Sequence, residues 1–360
     1  MERIVKKRIA RGDFTEPRVI GRYGLNVMAS QVQLGDTSHP AHPPISVILT
    51  VMNEEAHLQG AVSAALNSNY PGELEIVIAV GPSHDHTLEI ANQIAASDSR
   101  VSVILNPSGK TPNGLNAALK ASRNEIIVRI DGHSEIDRNY ISKAVRTLIE
   151  TGAVNVGGIM AAEGVTTFQS AVARAMRSPI GVGSARFHVG GISGPTDTVY
   201  LGVFRRSALE DVGGYDERFV RAQDWEMNHR LRSNGGIIWF NPELKVTYRP
   251  RNSLKKLAKQ YFEYGRWRRA VSRHHRGTIN FRYLAPPINL IVNIVSWILG
   301  AFVSPIFLIA SATYFVAILL ASLWLGKSMG ERVRLPLILI TMHFCWGFGF
   351  ISSPASLIPR

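Results

Sequence analysis

A chain of 360 residues is long enough for two or three structural units, and its single cysteine excludes an intramolecular disulfide and a cysteine-based zinc site. Lysine and arginine exceed aspartate and glutamate by 40 − 27 = 13, so the expected partners are anionic: nucleic acid, phosphorylated substrates or an anionic membrane face. The basic N-terminus lacks an apolar stretch, which argues against a secretory signal peptide.

The first 250 residues predict a linker followed by an α/β fold. Residues 1–44 are polar and basic and end in a proline cluster, which is typical of an N-terminal arm and linker. Strands are then predicted at 45–51, 74–80, 101–105 and 125–130, and helices at 57–68, 85–96 and 112–121. Strands and helices that alternate at this spacing indicate a mainly parallel sheet with crossover helices.

The fourth predicted strand leads directly into Asp131-Gly132-His133. In an extended backbone the side chains of Asp131 and His133 point to the same side, so both could face one cation. Ligands of open α/β sheets bind beyond the carboxyl ends of strands, which favours a site here. An Asp-Gly turn that merely ends the strand fits the same residues equally well.

Downstream of this strand the pattern is mixed. A helix is predicted at 136–151, whereas the Gly-rich stretch 152–200 shows no clear period and is interpreted as partly loop around a site. A further helix is predicted at 224–233, followed by short strands at 237–240 and 245–248.

The C-terminal part predicts association with a membrane. Residues 245–283 carry twelve Lys or Arg, one acid and interleaved aromatics, a composition typical of either a nucleic-acid surface or a membrane-interface helix. No charged residue occurs from 287 to 325, which allows two spans, and 335–353 allows a third that would carry the C-terminus to the far side. The basic segments then belong on the cytoplasmic side. A re-entrant hairpin at 287–325 satisfies the charge rule equally.

Several stretches in collinear order resemble the family 2 glycosyltransferases, and among them the succinoglycan-type exopolysaccharide enzymes. The resemblance covers about residues 44–270. It is carried by the first strand with its Asn-Glu-Glu turn, the turn after the second strand, the loop and helix at 109–118, the Asp-Gly-His triplet, and three later segments at 197–206, 213–217 and 223–226. Each motif is weak alone, and their order is specific.

The resemblance implies a GT-A catalytic domain at 45–250, basic aromatic membrane-interface helices at 251–283 and a transmembrane region of about three spans at 284–360. It implies an inverting, metal-dependent enzyme in the cell membrane, multi-pass, with a cytoplasmic catalytic domain. The enzyme would transfer one sugar from a nucleotide sugar to a lipid-linked acceptor, for example a polyprenyl diphosphate, or to an exopolysaccharide acceptor. Its partners would include membrane lipids and no nucleic acid.

The resemblance also implies roles for single residues. Asp224 would be the general base, although an aspartate that only caps a helix fits the position too. Asp131 and His133 would hold Mg²⁺ or Mn²⁺ at the donor diphosphate. The implied donor-binding residues are Thr50, Asn53, Glu54, Glu55, Lys110 and Asp131, and the implied acceptor-binding residues are Gln223, Trp225, Arg266 and Trp267.

Two departures from the family pattern limit these implications. Val80-Gly81-Pro82 stands where many relatives have an acidic pair that binds the base, so a UDP-linked donor is expected but the base is open. Gln260 and Arg266-Trp267 do not have the Gln-x-x-Arg-Trp spacing of processive synthases, which favours addition of one sugar. Competing hypotheses are a nucleotidyltransferase with a GT-A-like sheet and a membrane scaffold whose site has decayed.

Overall fold

The computed structural model describes residues 42–358, so most of the predicted N-terminal arm lies outside the described part. The strands are β1 (Ile45–Val51), β2 (Leu74–Val80), β3 (Val101–Leu105), β4 (Ile126–Arg129), β5 (Glu135–Ile136), β6 (Asn155–Ala162), β7 (Gly194–Pro195), β8 (Tyr200–Arg205) and β9 (Ile238–Tyr248). The helices before residue 250 are α1 (Leu58–Leu66), α2 (Thr87–Ser97), α3 (Thr111–Ala121), α4 (Tyr140–Thr151), α5 (Thr167–Met176), α6 (Pro179–Val182), α7 (Arg186–Val189), α8 (Arg206–Asp211) and α9 (Gln223–Ser233). The C-terminal helices are α10 (Leu254–His274), α11 (Phe281–Phe302), α12 (Leu308–Leu325) and α13 (Met329–Ser352), with 3₁₀ turns at Pro305–Phe307 and Ala355–Leu357.

One mixed sheet runs through the described catalytic part in the order β3-β2-β1-β4-β8-β6-β9-β5, with β7 paired to β9. Strands β3, β2, β1 and β4 are parallel, as predicted, and β8 then pairs antiparallel with both β4 and β6. Ile45 at the start of β1 is level with Leu74 of β2 and Ile126 of β4. The carboxyl ends of these three strands therefore meet at one edge of the sheet.

Helices cover both faces of the sheet because its strands are apolar on both sides. In β1, Val47 and Leu49 face the core formed with α1 and α4, whereas Ile48 faces the core formed with α3 and α9. The amphipathic pattern of α4 puts Ile141 and Leu148 on its buried side. The result is a three-layer α/β arrangement.

The structure corrects two predictions of elements and defines one stretch that the sequence left unassigned. The stretch 152–200, predicted to be partly loop, contains the eight-residue strand β6 and the helix α5 between its loop segments. The glycines of β6 obscure the alternating pattern that is typical of a strand. At Gly158 a side chain would overlap the backbone carbonyl of Leu244, so glycine allows β9 to approach closely. The two short strands predicted at 237–248 are one strand, β9. The helix predicted from 136 begins at Tyr140, because Glu135–Ile136 pairs with β9.

Three of the described helices are long and apolar enough to cross a membrane, judged by length and composition alone: Phe281–Phe302, Pro305–Leu325 and Met329–Ser352. The predicted number of apolar segments is confirmed. They belong to the same compact unit as the sheet, His39–Arg360, and the predicted domain boundaries within it stay predictions.

Candidate active site

The loop after β1 is fixed against the loop after β2 by a set of hydrogen bonds. Asn53 adopts φ +57°, its N–H donates to Ser83 Oγ at 3.1 Å, and its Oδ1 accepts from the His84 N–H at 2.9 Å. The Glu54 N–H donates to Thr87 Oγ1 at 2.7 Å. These bonds hold the predicted donor-binding turn at the carboxyl edge of the sheet, where ligands of such sheets bind.

Thr50 and Lys110 lie where α3 approaches the end of β1. A side chain at Gly114 would overlap Thr50 Oγ1, so glycine lets the first turn of α3 cover the threonine. Lys110 stands at the N-cap of α3, and its carbonyl accepts from Asn106 Nδ2 at 3.0 Å. The structure thus brings both predicted donor-binding residues to the sheet edge, beside a helix N-terminus that favours anions.

Residues 131–134 form a turn, so the expectation that Asp131 and His133 lie in extended backbone is wrong. The Ser134 N–H donates to the Asp131 carbonyl, and the Asp131 N–H donates to Ser134 Oγ, both at 2.9 Å. His133 Nδ1 is instead hydrogen-bonded to Glu54 Oε1 at 2.8 Å. This bond raises the pKa of His133 against the opposing effect of burial.

Arg129 joins the two candidate catalytic carboxylates. Its side chain ends β4, is 2% exposed, donates from Nη1 to Asp224 Oδ1, and donates from Nη2 to Asp131 Oδ1 at 3.2 Å. The ring of Tyr215 lies 5.9 Å from its guanidinium. No role of Arg129 was predicted from the sequence, although a charged residue inside an apolar strand is the signal that points to it.

Asp224 lies in the first turn of α9 but does not cap it. The N-cap is Ala222, and no side chain caps this helix end, so the structure contradicts the alternative in which Asp224 serves only as a cap. Burial raises the pKa of the Asp224 carboxyl, and Arg129 opposes that effect only in part. A carboxyl with a raised pKa at a sheet edge is a candidate general base.

The predicted acceptor-binding residues fall into two groups. Gln223 and Trp225 flank Asp224 on α9, and the Arg268 guanidinium lies 3.8 Å from the centre of the Trp225 ring. Trp267 is 5% exposed and belongs to the buried cluster against which Trp225 packs. Arg266 pairs with Glu263 at 2.9 Å. Trp267 therefore lies in the buried cluster on which Trp225 packs, and a direct contact of Arg266 or Trp267 with an acceptor stays a prediction.

The polar groups near Asp131 fit a metal that is shared with a ligand. No group of three or more His, Cys, Asp or Glu within residues 42–358 could hold a metal ion by itself. Asp131 uses Oδ1 for Arg129, and no hydrogen bond to its Oδ2 is formed among those residues. Mg²⁺ commonly takes one or two protein carboxylates and completes its shell with phosphate oxygens and water. Asp131 with His133 or Glu54 is such a partial donor set.

Comparisons with known proteins show which proteins the chain resembles. The model of Glycosyl transferase family 2 matches residues 46–213. The succinoglycan biosynthesis protein ExoA of Rhizobium meliloti is 30% identical over 312 residues, which is 84% of this chain and 93% of that protein. The dolichyl N-acetyl-alpha-D-glucosaminyl phosphate 3-beta-D-2,3-diacetamido-2,3-dideoxy-beta-D-glucuronosyltransferase of Methanococcus voltae is 24% identical over 85% of this chain and 95% of its own length.

Among solved structures, the mannosyltransferase PcManGT from Pyrobaculum calidifontis, in complex with GDP-Man and Mn²⁺, is similar with a TM-score of 0.54. The match covers 86% of this chain and 87% of that chain at 16% sequence identity, so it bears on the fold alone. The predicted GT-A fold, a mixed α/β sheet with helices on both faces, is confirmed.

Proposed function

The chain belongs to glycosyl transferase family 2, and on this premise we propose that it transfers one sugar, with inversion, from a nucleotide sugar to a lipid-linked acceptor at the cytoplasmic face of the cell membrane. The observation that carries the proposal is the buried Arg129 between Asp131 and Asp224. One carboxylate is available to the donor and the other to the acceptor, and both are held at the carboxyl edge of the sheet.

The acceptor class is supported by the relatives and by the apolar helices. One relative takes part in succinoglycan biosynthesis, and another is named for transfer to a sugar on dolichyl phosphate. Three helices of this chain are apolar enough to enter a membrane, and they belong to the same compact unit as the site. A lipid-linked sugar of envelope or exopolysaccharide synthesis is the acceptor that fits both observations.

The donor would lie over the ends of β1, β2 and β4. The turn at Asn53, Glu54 and Glu55 forms one side of this space, and Thr50 and Lys110 at the start of α3 form the other. Lys110 and the helix N-terminus would attract the diphosphate. Asp131, with His133 or Glu54, would hold Mg²⁺ or Mn²⁺, which would neutralise the charge that grows on the leaving diphosphate.

Asp224 would remove the proton from the attacking acceptor hydroxyl. A single in-line displacement inverts the anomeric centre, and it needs a base on the face of the sugar opposite the leaving group. The raised pKa of Asp224 improves its strength as a base, and Arg129 keeps the carboxylate oriented. Gln223 and Trp225 adjoin the base and would contact the acceptor. The unusual spacing of Arg266-Trp267 supports transfer of one sugar rather than polymerisation.

The test is Asp224→Asn, assayed for sugar transfer in membranes and for nucleotide-sugar binding by calorimetry. Loss of a general base lowers turnover about 10²- to 10⁴-fold, whereas donor binding is expected to stay nearly intact because Asp224 faces the acceptor. The control is Asp211→Asn, an exposed aspartate at the end of α8, which should transfer at the normal rate. Near-normal transfer by Asp224→Asn would show that the base is another group.

A further inference from the structure

The N-terminal half of α13 packs on the catalytic domain. Glu331 is buried, accepts from the Lys327 N–H at 2.7 Å, and lies 3.6 Å from Arg174 Nε of α5. One turn further on, Leu335 and Leu339 are fully buried in the same cluster as Val172 of α5. This end of α13 is therefore a core helix of the catalytic unit, although its composition is that of a membrane span.

The middle of α13 contacts the catalytic domain through the side chain of His343 and contacts α10 through backbone atoms. His343 Nε2 is hydrogen-bonded to the Ile180 carbonyl at 2.8 Å. A side chain at Gly265 of α10 would overlap the Trp346 carbonyl, and one at Gly349 would overlap the Phe262 carbonyl. Glycines at these crossings let the two helix backbones touch, so nothing separates α10 from α13 here.

The C-terminal end of α13 is capped by α10. Arg273 donates from Nη2 to the Ser353 carbonyl at 2.8 Å and from Nη1 to the Pro354 carbonyl at 3.1 Å. The Arg269 guanidinium lies 5.2 Å from the centre of the Phe350 ring. Cations are favoured at a helix C-terminus, where carbonyls lack partners. Contact with α5, α6 and α10 thus runs from Glu331 to Pro354.

This continuous contact is incompatible with a crossing by α13. A helix of 24 residues is about 36 Å long at 1.5 Å per residue, which exceeds a hydrocarbon core of about 30 Å. If α13 crossed the membrane, α10 would have to lie in the hydrocarbon core beside it. Helix α10 carries seven Lys or Arg within Leu254–His274. Charged side chains inside the bilayer are rare because their desolvation is unfavourable.

The α11–α12 hairpin contacts α13 through Ile318 and Tyr314 of α12, but a larger part of its surface is unburied. Within the most apolar 18-residue stretch of each helix, 22% is buried in protein in α11 and 17% in Pro305–Leu325, which contains α12. The corresponding share for α13 is 39%. The outward residues of the hairpin are large and apolar; they include Ile291, Val295 and Ile298 of α11 and Leu319, Leu320 and Leu323 of α12. Such a continuous apolar surface fits lipid.

We propose that α13 lies along the catalytic unit on the catalytic side of the membrane, and that the α11–α12 hairpin alone enters the lipid. The described segment 281–358 then makes an even number of crossings, and both ends of α13 lie on the side of the catalytic domain. The basic residues around Lys327 fall on that side as well, in agreement with the charge rule. This inference is independent of the glycosyl donor and acceptor.

Cysteine accessibility tests the proposal in membranes of cells that express the full chain. Cys345 is replaced by alanine, and three exposed positions receive one cysteine each: Ser97→Cys on the catalytic domain, Lys327→Cys before α13 and Ser356→Cys after it. A membrane-impermeant maleimide is added to intact and to permeabilised cells. Detergent-solubilised protein serves as the reference for complete labelling.

We expect all three cysteines to behave alike, with labelling only after permeabilisation when the catalytic domain is cytoplasmic. Opposite labelling of Lys327→Cys and Ser356→Cys would overturn the proposal, because it would place a span between them. Protection of Ser356→Cys in both conditions would overturn it too, since it would put this end of α13 in lipid. Measurement of sugar transfer or thermal unfolding shows that each variant is folded.

Discussion

Arg129 illustrates how one buried cation can organise two acidic groups. A charge that is 2% exposed needs partners, and here they are carboxylates from different parts of the chain, Asp131 two residues away and Asp224 on α9. Without the cation between them, the negative charges of the two carboxylates would repel each other, and the ionised form of each would be less favourable. The arginine therefore holds the carboxylates of Asp131 and Asp224 in a fixed arrangement.

We expect Arg129→Gln to move the acidic limb of the transfer rate to higher pH. A base acts when ionised, so the rate falls as the pH drops through the pKa of Asp224, which burial already raises. Removal of the guanidinium removes the influence that lowers this pKa, so the limb shifts upward. Breaking the buried pair should also lower the free energy of unfolding by about 3 kcal/mol.

The control for Arg129→Gln is Arg123→Gln, the same substitution at an arginine whose side chain is 81% exposed and paired with Glu75. Glu75 is buried, but it keeps its hydrogen bonds from the Ser46 hydroxyl and the Arg123 N–H, so loss of the exposed guanidinium should change the stability by about 0–1 kcal/mol and leave the pH–rate profile unchanged. If both variants had the same pH–rate profile, Arg129 would have no special influence on the base.

At the scale of elements, the contact between α10 and α13 depends on glycine. We expect Gly265→Ala to lower the free energy of unfolding by about 1–3 kcal/mol, because the added methyl group would overlap the Trp346 carbonyl of α13. The matched control is Gly60→Ala in α1, where nothing lies within 4 Å and alanine should stabilise the helix by up to about 1 kcal/mol. Thermal unfolding of detergent-solubilised protein measures both; equal stabilisation would contradict the observed backbone contact.

Sequence periodicity predicted the elements whose burial is one-sided or complete. The runs at β1, β2 and β3 and the amphipathic α4 were recognisable because local pattern and tertiary burial agree. Strand β6 was missed because its glycines serve the close approach of β9, and that need arises only in the folded sheet. The sequence did not decide between a turn and an extended backbone at Asp131. The hydrogen bonds of Ser134 that close the turn leave no periodic signal in the sequence.

At the scale of the whole molecule, apolar composition has two different causes. In the α11–α12 hairpin it matches exposure to lipid, whereas in α13 it matches burial against α5 and α10. Hydropathy is high in both cases, so the sequence predicted about three spans, with a re-entrant hairpin at 287–325 as the alternative. The number of apolar helices was therefore predictable, but their separate environments depend on which surfaces the sheet and α10 present to them.

Two substitutions separate these environments. Leu320 of α12 is 62% exposed and Leu339 of α13 is 0% exposed. Lysine at position 320 would lie in lipid at a cost of about 2.5–3.5 kcal/mol, so Leu320→Lys should weaken resistance to carbonate extraction while unfolding in detergent stays nearly unchanged. Leu339→Ala should leave a cavity and lower the free energy of unfolding by about 2–5 kcal/mol with membrane association retained. Equal effects of both variants on extraction would mean that α12 and α13 face lipid alike, and the distinction between hairpin and core helix would fail.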